Sequence, residues 1–226
     1  MQRHRIRHVR AYRDGPAAIT LAPPRSSSRF HLAPIVSGLG LLGGGLLLWY
    51  YRDTALTWAV KLGGAVGYYP DPTSRASAYS AAITAASQAT GVSTAIIAGL
   101  GDRETLWGLS SDLSQPGPAG TGDGGHGRGL MQIDDRTWSS WISATDWTDP
   151  GQNVLKGAQI YAAGYNQLQN AGVDPSILAR AAADAYNAGP GTVLAAIQAG
   201  ADPDSVSTGG NYGADVMGRA AKYVGP

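Results

Sequence analysis

Glu104 is the only glutamate in a chain that otherwise takes its acidic side chains from 15 aspartates. Ile96, Leu100 and Glu104 are spaced by four residues, so in a helix they share one face and the carboxyl group ends an apolar stripe. An apolar environment penalises the charged carboxylate and raises its pKa toward neutrality, which is what a general acid requires. The alternative is a surface glutamate in the last turn of a helix, beside Arg103.

Two aspartates, Asp123 and Asp134, flank a glycine-rich stretch at residues 124–133. Glycine permits tight turns and the close approach of an extended polymer to the backbone. A carboxylate facing Glu104 across a cleft would complete an acid and base pair. Aspartates are also common in glycine-rich turns, so a purely structural role stays open for both.

A second polar motif, AYNAGPG at 185–191, contains Tyr186 and Asn187, whose side chains can contact a sugar. The same pattern also suits a corner between two helices, with a glycine at the end of the first. His126 is isolated, since the other histidines lie in the first 31 residues and the chain has no cysteine. The glycine-rich stretch lacks the Gly-Lys-Ser/Thr ending of a phosphate loop. We therefore expect no metal site and no cofactor.

Helical periodicity dominates the chain after residue 73. The predicted helices cover residues 74–90, 93–104, 153–170, 174–186, 191–199 and 213–224. Residues 108–128 are rich in Gly, Ser, Asp and Pro, which predicts a loop or a small hairpin. The glutamate would then end the second helix, next to a flexible loop at the edge of a cleft.

The first 51 residues differ in composition from the rest. Residues 1–32 hold seven arginines and one acid, a net charge of +6, whereas the remainder carries −5. Residues 33–51 have no charge and end on Trp49-Tyr50-Tyr51, and as a helix roughly 28 Å long they would span the hydrocarbon layer of a bilayer. The arginines before this segment predict the N-terminus inside and the C-terminus outside. A cleaved signal peptide and a buried helix of a soluble domain are the alternatives.

These features divide the chain into a basic flexible tail at 1–32, a transmembrane helix at 33–51, a juxtamembrane linker at 52–73 and a globular domain at 74–226. The tail could contact anionic lipid or nucleic acid. The acidic remainder is not a nucleic-acid binder by charge. We therefore expect membrane lipid as a partner through residues 33–51, and no specific nucleic acid.

Four segments, in order, resemble the goose-type lysozymes and the related soluble lytic transglycosylases. They are IIAGLGDRE at 96–104, GDGGHGRGLMQID at 122–134, AYNAGPG at 185–191 and NYGADV at 211–216. The resemblance covers roughly residues 75–224 and implies a mostly helical α+β lysozyme-like fold with a small β-hairpin. It also implies cleavage of the β-1,4 bonds between N-acetylmuramic acid and N-acetylglucosamine in bacterial peptidoglycan.

Carried over by position, the resemblance makes Glu104 the general acid, while Asp134 and Asp123 position or activate the attacking water. The residues that it places in sugar subsites are Gln132, Tyr186, Asn187 and Tyr212. Two features depart from the family. Residues 109–121 lengthen the stretch before Asp123, and Thr105 stands where the family usually has serine.

Three functions stay open at this point. A membrane-tethered muramidase, phage-encoded or cellular, would use water as the nucleophile. A lytic transglycosylase needs only the glutamate, because the 6-hydroxyl of the substrate attacks and leaves a 1,6-anhydro end; the presence of both aspartates favours hydrolysis. An inactive glycan-binding module of an envelope or virion assembly would be expected to have lost Glu104.

Overall fold

The computed structural model describes residues 72–224 of the chain, with side chains from residue 74 onward. The predicted tail and membrane helix, and residues 52–71 of the predicted linker, lie outside the described residues. Within the described range, no helix is both long and apolar enough to cross a membrane. Residues 72 and 73, predicted to belong to the linker, are the first residues of a helix.

Helices make up most of the described domain. The α-helices are α1 (Pro72–Ser77), α2 (Ser80–Thr90), α3 (Thr94–Thr105), α4 (Ser139–Ala144), α5 (Pro150–Asn170), α6 (Pro175–Ala188), α7 (Pro190–Gln198) and α8 (Tyr212–Ala220). The strands β1 (Thr121–Gly122), β2 (Gly127–Arg128) and β3 (Ile133–Asp134) pair antiparallel in that order. The prediction of a mostly helical fold is confirmed, and the structure has a small three-stranded antiparallel sheet where a β-hairpin was predicted.

Polar side chains at the helix starts explain several of these boundaries. Ser93 accepts a hydrogen bond from the backbone N–H of Ile96 at 3.3 Å, as expected of the residue that caps α3. Asp149 accepts one from the N–H of Gln152 at 2.8 Å, and Pro150 occupies the first helical position. The predicted start of this helix at residue 153 is therefore three residues late, because the Asp-Pro pair is the stronger start signal.

The helix predicted over 74–90 is two helices, α1 and α2, separated by a turn at residues 78–79. In that turn, Tyr79 stacks its ring on the buried ring of Trp107, with centroids 5.4 Å apart. Arg75 of α1 donates to the fully buried carboxylate of Asp102 in α3 at 2.6 Å. These tertiary contacts hold α1 and the turn against α3, and sequence periodicity does not report them.

Helix α3 runs through the main apolar core, where Leu100 is fully buried. Two glycines allow its neighbours to come close. A Cβ atom at Gly99 would lie 2.8 Å from a backbone carbonyl oxygen of α8, and one at Gly101 would overlap the ring of Trp107. The last turn of α3 is therefore held between α8 and this tryptophan.

The segment between β2 and β3 is fixed by side chains of α3 and α5. The amide of Asn153 accepts from the Met131 N–H at 2.9 Å and donates to the Arg128 carbonyl at 3.0 Å. Thr105 donates its hydroxyl to the Leu130 carbonyl at 2.8 Å. A hydroxyl is thus retained where the family has serine, and it ties the sheet to the end of α3.

Candidate active site

A cavity of about 740 Å³ opens between the end of α3, the small sheet and the junction of α6 and α7. The predicted site residues that line it are Glu104, Asp123, Gln132, Asp134, Tyr186 and Asn187. A volume of this size is typical of a small-molecule or substrate pocket. Residues from three of the four segments that carry the resemblance therefore meet at one place.

Glu104 lies in the last full turn of α3, on the wall of this cavity. The chain then leaves the helix through Leu106 and Trp107, both in the left-handed region with φ of 50° and 58°. Burial raises the pKa of Glu104 to about 7, against smaller lowering effects from the hydroxyl of Tyr212 and the charge of Arg103. The carboxyl is therefore largely protonated below neutral pH, so it can donate a proton to a leaving group.

Tyr212 lies behind Glu104 rather than along the cavity. Its side chain is only 3% exposed, its hydroxyl donates a short hydrogen bond to Oε1 of Glu104, and the guanidinium of Arg103 lies 5.2 Å from its ring centroid. It is not among the residues that line the cavity. The predicted contact of Tyr212 with a sugar stays a prediction, and its hydroxyl is placed to orient the carboxyl of Glu104.

Asp123 and Asp134 are bound by one arginine. Arg136 donates through Nη2 to Asp123 at 2.6 Å and to Asp134 at 2.5 Å, and through Nε to Asp134 at 3.1 Å. These hydrogen bonds are the main reason that the pKa of Asp134 falls to about 2. Asp134 is therefore a carboxylate near neutral pH. Asp123 is more open, with 67% of its side chain exposed.

Gln132 lies against the small sheet in a left-handed conformation, with φ of 46°. Its amide nitrogen donates to the Gly129 carbonyl at 2.7 Å, and a Cβ atom at Gly122 or Gly127 would overlap its amide oxygen. The glycines of β1 and β2 therefore make room for this side chain at the cavity wall.

Tyr186 and Asn187 end α6 on the opposite side. Tyr186 donates its hydroxyl to the Met131 carbonyl at 2.6 Å, and burial raises its pKa well above the usual range. Asn187 is exposed and accepts from the Thr208 N–H at 2.8 Å, and Thr208 also lines the cavity. The tyrosine thus connects α6 to the segment between β2 and β3, and the asparagine connects the end of α6 to Thr208.

The stretch that is longer than expected for the family, residues 109–121, forms part of the cavity wall through Ser110, Asp112 and Leu113. It closes on itself, since the Ser114 N–H donates to the Thr121 carbonyl at 2.9 Å. The departure noted in the sequence therefore adds a wall to the cavity instead of displacing Asp123 from it.

Arg136 and Trp138 are among the cavity residues that were not predicted. Arg136 follows Asp134 by two residues, a spacing too common in turns to identify a clamp. Trp138 also lines the cavity, and the ammonium of Lys156 lies 3.5 Å from its ring centroid. His126 is hydrogen bonded to Asp135 at 2.9 Å, and no cluster of possible metal ligands occurs in the described part of the chain.

A mostly helical domain with a neutral glutamate and an ionised aspartate on the wall of one cavity has the carboxyl groups of a glycoside-cleaving enzyme. The family model described as lysozyme g matches residues 71–225. The chain belongs to this family and is a glycosidase of the goose-type lysozyme class, with peptidoglycan as its substrate class. The resemblance noted in the sequence is thereby confirmed. No curated protein showed significant similarity to the chain.

Replacing Tyr212 with phenylalanine should remove the hydroxyl that orients Glu104. Because that hydrogen bond lowers the pKa of Glu104, its loss should raise this pKa, lower turnover and move the alkaline limb of the pH profile to higher pH. Tyr161→Phe is a matched control, since it removes another buried hydroxyl, bonded to the Ala179 carbonyl at 3.0 Å. Both variants should lose about 1 kcal/mol of stability. A limb that moves equally in both variants would contradict the assignment.

Proposed function

We propose that this protein hydrolyses the β-1,4 bonds between N-acetylmuramic acid and N-acetylglucosamine in peptidoglycan. The observation that carries the proposal is the difference between two carboxyl groups of one cavity, since Glu104 has a pKa near 7 and Asp134 a pKa near 2. Such a separation is the usual basis for assigning acid and base roles.

Glu104 is the general acid in this scheme. A glycosidic oxygen is a poor leaving group until it is protonated, and a carboxyl that is still neutral near pH 7 can supply that proton. The hydroxyl of Tyr212 holds Oε1, so Oε2 is the oxygen left to carry the proton toward the substrate.

Asp134 and Asp123 act on the nucleophile. Both accept hydrogen bonds from Arg136, and on the cavity wall they can also accept hydrogen bonds from a water molecule. Asp134, with a pKa near 2, is a weak base, so its main contribution is to orient the water and to stabilise positive charge as it develops on the sugar.

A lytic transglycosylase is the second candidate, and the Arg136 clamp is the observation that favours it. A base weakened in this way contributes little to proton removal, and intramolecular attack by the 6-hydroxyl of the substrate needs no bound water. Glu104 would then serve as acid and base in turn.

Glu104→Gln should lower peptidoglycan cleavage by about 10²–10⁴-fold, the range that a general acid contributes, because the amide cannot donate the proton. The fold should persist. The raised pKa of Glu104 means that its folded-state stability is present at low pH and is lost as pH rises through about 7, so the variant should be at least as stable as the parent at pH 8. Near-full activity in the variant would remove Glu104 from the mechanism, and binding without cleavage by the unmodified chain would indicate a glycan-binding module.

The products separate the two enzyme mechanisms. Mass spectrometry of digested peptidoglycan should show reducing muramic acid ends, and NMR spectra of the fresh products should show inversion at the anomeric carbon if a water lies between Glu104 and Asp134. Asp134→Asn should then lower kcat more than it raises KM, because the interaction is made in the transition state. A dominant 1,6-anhydro product would establish the transglycosylase reaction and leave Asp134 with a structural role.

We also propose that residues 33–51 anchor the enzyme in a membrane, with the catalytic domain outside. The support is the run of 19 uncharged residues and the arginine excess before it. A bacterial envelope and a virion membrane would both place the domain next to the wall that it cuts. The genes beside this one would distinguish a cellular from a phage setting.

A chain that starts at residue 54 should remain in the supernatant after ultracentrifugation and should cleave purified peptidoglycan. The full chain should partition with membranes. An insoluble or unfolded truncated chain would show that residues 33–51 belong to the domain core, and the anchor proposal would be withdrawn.

A further inference from the structure

A second buried carboxyl group lies one helix turn before the site, in a position that the proposed reaction does not use. Asp184 of α6 is fully buried, and its Oδ1 accepts from the Gly213 N–H at 2.9 Å. Its Oδ2 is the one buried side-chain atom of the described residues without a hydrogen-bond partner. A Cβ atom at Gly213 would overlap this carboxyl, so the glycine makes room for it.

The polar groups around Asp184 explain why Oδ2 lacks a donor. Its charged neighbour is Asp204, which is also buried. Asp204 accepts from Arg180 at 2.8 Å, and the same guanidinium donates to the exposed Asp202 at 3.0 Å. The Ser207 hydroxyl also faces Asp184 and lowers its pKa, but this hydroxyl donates to the backbone carbonyl of Asp204 at 2.9 Å. Two carboxylates side by side can only accept, so a proton is needed to join them.

Asp184 is the residue of the pair that carries the proton and donates it in a hydrogen bond to Asp204. Asp204 already has a cation and a backbone donor, since Oδ2 pairs with Arg180 and Oδ1 accepts from the Ala214 N–H at 3.2 Å. Asp184 has a single backbone donor and no cation. Burial is the largest cause that raises its pKa, to about 6.

The same carboxyl groups hold the start of α8. The N–H of Tyr212 donates to Ser207 Oγ at 3.3 Å. The next two N–H groups of the helix donate to the carboxyl groups, that of Gly213 to Asp184 and that of Ala214 to Asp204. Tyr212, the first residue of α8, is the residue whose hydroxyl reaches Glu104. The placement of this tyrosine therefore depends on the carboxyl pair.

We propose that Asp184 and Asp204 share one proton and act as positioning residues, holding the start of α8 so that the hydroxyl of Tyr212 meets Glu104. This inference rests on the proposed role of Glu104 as general acid. Loss of the shared proton leaves two buried carboxylates in repulsion and loosens the start of α8. The enzyme then needs two protons for activity, one on Glu104 and one on Asp184.

Stability tests the shared proton independently of activity. A folded-state pKa raised above the unfolded value of 3.8 gives stability that is fully present below that value and is lost as pH rises through about 6. The melting temperature should be measured from pH 4 to pH 8 in a Glu104→Gln background, which removes the titration of that residue. Adding Asp184→Asn should reduce the fall in melting temperature between pH 4 and pH 8. The asparagine has the shape of the neutral acid and can donate a hydrogen bond to Asp204 as that acid does.

Two further variants complete the melting-temperature test. Asp202→Asn is the matched control, since Asp202 pairs with Arg180 but is exposed, and the loss of melting temperature should persist. Asp204→Asn should flatten it, as Asp184→Asn does, because an ionised Asp184 can then accept from the new amide. A loss that persists in both the Asp184 and the Asp204 variants overturns the shared proton.

Activity tests the positioning role in the chain with Glu104 intact. On the alkaline side of the pH profile, the activity of the parent should fall as expected for the loss of two protons, and that of Asp184→Asn as expected for the loss of one. At pH 5 the turnover of the variant should stay within a few-fold of that of the parent. If Asp184→Asn flattens the pH dependence of the melting temperature but the activity profiles of parent and variant have equally steep alkaline limbs, the pair is structural only and the positioning role is overturned. A parent chain without glycosidase activity would instead refute the proposed function and leave the stability result standing.

Discussion

The contact between the buried carboxyl of Glu104 and the hydroxyl of Tyr212 is the interaction on which the site depends. A carboxyl stays neutral near pH 7 when the cost of burying its charge outweighs the groups that favour the ionised form, and at Glu104 burial outweighs the Tyr212 hydroxyl and the charge of Arg103. The helix is placed by close packing, because Gly99 admits α8 and Gly101 admits Trp107. The apolar core thus sets the chemistry of the carboxyl as well as its position.

The opposite wall of the cavity also presents a carboxyl group, but its surroundings favour the ionised form. Arg136 and two backbone N–H groups hold Asp134 as a carboxylate, so the two walls differ in charge state although both present carboxyl groups. The sheet is too short to be stable alone, and it keeps its shape through Asn153 and Thr105, which bind the segment between β2 and β3. Each wall is therefore supported by residues outside the cavity.

Much of this could be predicted from local patterns. The spacing of Ile96, Leu100 and Glu104 predicted the face of α3 that runs from the core to the cavity, and Ser93 predicted the start of the helix, because both signals act within a few residues. The clamp by Arg136, the carboxyl pair at Asp184 and the place of Tyr212 behind Glu104 could not be predicted this way. Each depends on which segments meet in three dimensions, and the hydrogen bond from Tyr212 joins residues 108 positions apart. The role of residues 1–51 stays a prediction.

The pKa of Glu104 in the folded protein tests the account most directly. The chain contains one glutamate, so incorporation of glutamate labelled with ¹³C at the side-chain carboxyl gives a single resonance to follow as a function of pH. The account predicts a midpoint near 7, as expected of a buried general acid. A midpoint near the ordinary value of 4.5 would show that the carboxyl is solvated and ionised at neutral pH, and it would contradict the central claim.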